Sequence, residues 1–174
     1  MFSDGFDFQY VTSLKGGPTD SFQKVYLYSF RAENERYIFR AEKFGFDVYA
    51  VKFYPKKFEL SDDKYRLLTN EGKAPRIIAT CLRIMLSILE DNPNASFCFR
   101  GAELIGEEKA DSKRFRIYRY AIEARFSSVR FTHYHYKAQS VYLLLNRANQ
   151  APDLLEKVQQ QFLQIFEFEG KPED

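Results

Sequence analysis

The chain has 174 residues, 45% of them hydrophobic and 29% charged, with a formal net charge of +2. That balance excludes a disordered chain or a protein that coats polyanions through bulk charge, and predicts one domain over residues 1–174, with 170–174 a short flexible tail. Two cysteines exclude a disulfide scaffold or a cysteine zinc cluster; with no run of about 18 apolar residues and no leader pattern in "MFSDGFDFQY", a cytoplasmic protein without a membrane partner is expected.

Strands come first. "FDFQYVTS" alternates Phe6, Phe8 and Tyr10 against Asp7 and Gln9, and "KVYLYSF", "RYIFRAEKF" and "FDVYAVKFY" follow at short spacing, with "ENE" and "FGF" as turns. Such connections predict an antiparallel meander. "APRIIATCLRIMLSILED" (74–91) is the strongest helix, with Pro75 in its first turn and Pro93 just past its end. Arg76, Thr80, Arg83, Ser87 and Glu90 form one polar stripe, so the helix should be largely buried on the sheet.

"ASFCFRG" is a strand, and Cys81 and Cys98 are expected to be small buried hydrophobes. "KRFRIYRYAIEARF" is a helix with Asp111 or Ser112 as N-cap. "SSVRFTHYHYKAQSVYLLLNR" gives a two-stranded hairpin. The last helix, "PDLLEKVQQQFLQIFEFEG", aligns Leu155, Val158, Phe162 and Phe166 and stops at Gly170. The predicted fold is α+β, a mainly antiparallel sheet of about seven strands with three helices in the order ββββ-α-β-α-ββ-α.

Charge is uneven. Between Lys113 and Lys137 seven basic residues stand against Glu123 alone, a local excess of +6 interleaved with Phe115, Tyr118 and Tyr120. Arginine forks match phosphate, and aromatic rings offer stacking surfaces for bases. At helical spacing Phe115, Ile122 and Phe126 anchor the helix, and Arg119 pairs with Glu123. Lys113, Arg114, Arg116, Arg125 and Arg130 are left as the candidate nucleic-acid-binding cations, with Tyr118 and Tyr134 as stacking candidates. Arg114 and Arg125 project to one side of the helix and Arg116 to the other, so the patch needs the hairpin beside it. There Arg130, Thr132, Tyr134 and Tyr136 share one strand face, and Val129, Phe131, His133 and His135 the other. The competing interpretation is a partly exposed helix with solvated arginines.

His133 and His135 could place two imidazoles on one metal, but zinc needs three or four ligands, and packing roles are expected instead. No metal or cofactor is expected. Asp62, Asp63 and Lys64 would suit a metal-dependent nuclease only if a pocket gathered them with a histidine; their setting is that of a turn. No nucleophile motif or phosphate loop is present, so the chain is not read as an enzyme.

"RIIATCLRIMLSILEDNPNASFCFRGA" followed by "RFRIYRYAI" resembles the central segment of an uncharacterised family of small bacterial proteins, a domain of unknown function. That family has a helix with an Ala-Thr pair, a proline, a strand ending in glycine and an Arg-x-Arg-x-Tyr helix. The matching positions are Ala79, Thr80, Pro93, Phe97, Phe99, Gly101, Arg114, Arg116 and Tyr118. "KFYPKKFELSDDKYRLLTNEG" is similar to the family's preceding strand, acidic turn and Asn-Gly loop. The likeness covers about the middle half of the chain and implies no activity. Four antiparallel strands followed by a helix also look like the unit of the Whirly and Pur single-strand binders, in architecture alone.

The expected function is a small accessory protein that binds nucleic acid, single-stranded, through the basic and aromatic patch. The alternative is a protein-interaction module without chemistry of its own, a homodimer or a subunit of a bacterial or phage assembly, since aromatics and arginine also favour interfaces.

Overall fold

The computed structural model describes residues 5–66, 74–101, 108 and 110–166. The alternating segments of the first third form β1 (Phe8–Lys15), β2 (Lys24–Ala32), β3 (Glu35–Phe44) and β4 (Val48–Pro55), each antiparallel to the next. Helix α1 (Ala74–Asp91) then carries the chain back, and β5 (Ser96–Arg100) pairs with β4 in parallel. A parallel neighbour needs a crossover of this length, because a tight turn cannot return the chain to the same end. After α2 (Lys113–Arg125), strands β6 (Phe131–Tyr136) and β7 (Val141–Asn146) form a hairpin whose second strand sits beside β5. The sheet order is β1-β2-β3-β4-β5-β7-β6, and α3 (Leu154–Phe166) follows. The α+β class and the element order therefore agree with the expectation from sequence.

Helices cover the sheet on two sides. On one face Tyr28, Phe39, Tyr49, Phe53, Phe97, Phe99 and Tyr142 pack against Ile77, Ile84 and Met85 of α1 and Phe115 and Ile122 of α2. On the other, Val158 and Phe162 of α3 seal Phe44, Val48, Ala50, Cys98, Val141, Leu143 and Leu145. Being covered on both faces explains why β7 is the continuous apolar run Val-Tyr-Leu-Leu-Leu and is buried at every position. Most of the aromatic excess goes into this core, as in the stacked rings of Phe99 and Tyr142, with centroids 5.2 Å apart.

The polar stripe of α1 is not simply solvated. Thr80 is buried; its Oγ1 accepts the Phe6 amide at 2.7 Å and donates to the Arg76 carbonyl at 2.8 Å. Arg76 lies over the Phe6 ring and Arg83 over that of Phe8. The stripe thus clamps the chain entering β1 to the helix. At the other end of the core, Gly101, just past β5, lets the first turn of α2 pack tightly against it: a Cβ there would collide with the Phe115 backbone. Ser112 Oγ closes the contact by donating to the Gly101 carbonyl.

Among the described residues no helix is long and apolar enough to cross a membrane. The expected Asn-Gly loop around Asn70, the alignment of the Phe166 side chain and the tail at 170–174 lie outside the described residues.

Candidate functional site

Ser112 caps α2 by accepting the Phe115 amide at 3.2 Å, and Phe115, Ile122 and Phe126 are buried anchors, as their spacing predicts. The cations of the helix take separate places. Arg114 is only 7% exposed: its Nη1 donates to the Tyr65 carbonyl, and its guanidinium lies 5.3 Å from the Phe53 ring centre. Tyr118 is 9% exposed, held edge-on between Phe53 and Phe99 at 6.1 and 5.3 Å. Both share the helical stripe of Phe115, Ala121 and Ile122, so docking that stripe on the sheet takes them inside. Arg116 pairs with Asp111 at 3.5 Å, and Arg119 Nε donates to Glu123 at 3.1 Å. Lys113 and Arg130 are exposed, and Arg125 is half-buried. Arg130 precedes β6 in a turn rather than lying on the strand. Tyr134 packs at the rim of the α3 cluster, on the opposite face of the sheet from α2. The residues expected to form one patch are thus not brought together, because two are core residues and one is behind the sheet.

The histidines serve packing. His133 Nε2 is 2.9 Å from the Phe126 carbonyl and Nδ1 is 2.6 Å from the Tyr142 hydroxyl. A carbonyl can only accept, so Nε2 carries the proton and Nδ1 accepts from Tyr142. Burial holds the His133 pKa below its ordinary value. Asp62 and Asp63 lie in an exposed turn, and among the described residues no three histidine, cysteine, aspartate or glutamate side chains are placed to share a metal.

A wider opening lies elsewhere. A cleft of about 660 Å³ separates the C-terminal half of α1 from β1 to β4, lined by Phe8, Tyr10, Tyr26, Tyr28, Lys43, Tyr49, Ser87, Ile88, Asp91 and Asn92. Strand alternation builds its floor: Tyr26 and Tyr28 point the same way from β2, with Tyr49 on β4 and Tyr10 on β1 beside them. Tyr10 meets Tyr28 edge-on at 5.4 Å and Tyr26 tilts against Tyr49 at 6.1 Å. Tyr10 is nevertheless 54% exposed. Asn92, just past α1, donates to the Tyr49 hydroxyl at 3.1 Å and to Asp47 at 2.9 Å, which fixes that ring.

Beyond the end of α1 the same face carries a row of lysines. Lys15 is paired in register with Lys24, and Lys24 with Lys43, across three neighbouring strands. Like charges placed directly opposite destabilise a sheet, so this row is a cost that packing does not require. Lys24 Nζ lies 5.1 Å from the Tyr26 ring centre, and Lys43 Nζ 5.9 Å from that of Tyr49. Lys43 also reaches Asp47 at 3.6 Å.

Burial, and then the nearby Asp91 charge, push the Tyr28 hydroxyl up to about 12. Burial also raises Tyr49, against the opposing Asn92 hydrogen bond. At neutral pH both phenols are therefore protonated and can donate. A second, smaller cavity of about 120 Å³ lies among Lys52, Tyr65, Arg100, Arg114 and Tyr118. Beside it Glu42 is buried between Arg40 at 3.1 Å and Lys52 at 2.9 Å.

No protein-family model, no curated protein and no solved structure matches the chain. The candidate site therefore stands on its own geometry. The cleft escapes a linear reading because its lysines are nine and nineteen positions apart; only the register makes them neighbours. The tyrosines were visible as the alternation in "KVYLYSF", with nothing there to separate a core face from an open one.

Proposed function

We propose that the chain is a small accessory protein that binds single-stranded nucleic acid in the tyrosine cleft, with phosphates on Lys15, Lys24 and Lys43 and bases against Tyr10 and Tyr26. The observation that carries this is the juxtaposition of a cross-strand lysine row with the exposed Tyr10 and half-buried Tyr26 rings on one sheet face. Cationic grooves that follow the backbone, flanked by rings on which bases stack, are what sequence-tolerant single-strand binding requires. The cleft volume is also in the roughly 300–1,000 Å³ range of ligand sites. Duplex binding fits less well, because stacked and paired bases cannot reach the rings.

The chain has no tryptophan, and four of its twelve tyrosines line the cleft, so tyrosine emission includes a signal from it. Titration with a single-stranded oligonucleotide at about 50 mM salt should quench that emission, and the quench should weaken steeply by about 200 mM. Tyr26→Ala should weaken binding by about 1–3 kcal/mol. Absence of binding at the lower salt contradicts the proposal.

One observation favours a second reading, a homodimer. β1 is an edge strand, and its Tyr10, Val11 and Leu14 are each more than half exposed. Light scattering that gives twice the chain mass, abolished by Val11→Lys, would favour it.

A further inference from the structure

The cleft carries charges of both signs. Its open end has the lysine row, whereas its α1 wall ends in Asp91, which lines the cleft and acts electrostatically on the Tyr28 hydroxyl. Asp91 occupies the last turn of an 18-residue helix, and no basic residue shares that turn. An aspartate there faces the negative end of the helix dipole, a placement that costs stability. Lys43, the cation that also lines the cleft, is directed to Asp47 and the Tyr49 ring. The Asp91 carboxylate is thus a hydrogen-bond acceptor on the α1 wall, presented to whatever enters between Tyr10, Tyr26 and Tyr28. Two costly placements of opposite charge at the same opening are expected of a site rather than of packing.

We infer that Asp91 reads the base: it accepts a hydrogen bond from an exocyclic amino group, so the cleft prefers strands rich in cytosine over strands rich in uracil. This rests on the single-strand reading above and adds specificity to it. A carboxylate accepts from cytosine N4, whereas uracil presents O4 at that position, an acceptor facing an acceptor. Rings of equal size stack alike, so Asp91 supplies the difference. Ser87 and the Tyr28 hydroxyl can both donate and accept, and neither discriminates.

The test compares oligodeoxycytidylate with oligodeoxyuridylate of equal length on the intact chain and on Asp91→Asn, at one low salt concentration. The wild type should bind the cytidylate about five- to tenfold more tightly, and Asp91→Asn should bring the ratio to about one, since an amide can present either a donor or an acceptor. Thermal unfolding of Asp91→Asn should be unchanged or raised, because removing a charge from a helix C-terminus relieves the dipole. Equal wild-type affinities, a preference that persists in Asp91→Asn, or an equal loss of both strands in that variant overturns the assignment of Asp91 while leaving the single-strand reading in place. Failure of both strands to bind the wild type overturns that reading and the base preference together.

Discussion

Lys24 is the middle cation of the cross-strand row. It faces Lys15 on one side and Lys43 on the other, and its own compensation is the Tyr26 ring 5.1 Å away. Replacing it with glutamine should leave stability unchanged or raise it by up to about 1 kcal/mol, while oligonucleotide affinity falls. Denaturation and titration on one preparation check both halves; a clear loss of stability would make Lys24 a packing residue. His133 gives a second prediction at this scale. Its pKa is lower folded than its ordinary 6.5, so the folded state binds fewer protons than the unfolded one in the window below that value. Stability should therefore decline as pH falls from about 6.5 towards 5, with Nδ1 protonation forcing Tyr142 to give up its donation, and level off once the folded histidine is also charged. Urea midpoints across that window should show the slope in the wild type and lose it in His133→Gln.

Among the elements, α1 was legible to the residue because its prolines and polar stripe act locally. The strands of the meander were legible for the same reason. The parallel pairing of β5 with β4 was not, since it depends on where a helix sets the chain down rather than on any local pattern. α2 shows why charge alone misleads. Its buried stripe is broad enough to include Arg114 and Tyr118, and partners distant in sequence, the Tyr65 carbonyl and the Phe53 ring, make the interior acceptable to a guanidinium. Two substitutions test how the layers are joined. Gly101→Ala should cost about 1–3 kcal/mol or more, since the added Cβ displaces the α2 backbone rather than a flexible side chain. Phe162→Ala should cost about 3–5 kcal/mol, because that ring is fully buried under Phe44 at 4.8 Å and seals the second face. Chemical denaturation measures both, and the cleft on the other face should keep its oligonucleotide affinity in Phe162→Ala while the protein remains folded.

Across the whole molecule, a net charge of +2 conceals two basic regions of different kinds. The conspicuous one, along α2, is divided into a buried arginine, two ion-paired arginines and scattered exposed cations. The other is three lysines that the register alone assembles, beside rings that strand alternation turns to the same side. We propose that the second region holds the phosphates. Salt dependence of single-strand binding tests it most directly, comparing the wild type with glutamine replacements of Lys15, Lys24 and Lys43 together, and of Arg116, Arg125 and Arg130 together. Three phosphate contacts give a slope of about −2 in log affinity against log salt. Replacing the three lysines should bring this slope close to zero, whereas replacing the three arginines should leave it unchanged. A slope that survives loss of the three lysines and disappears with the three arginines would contradict it.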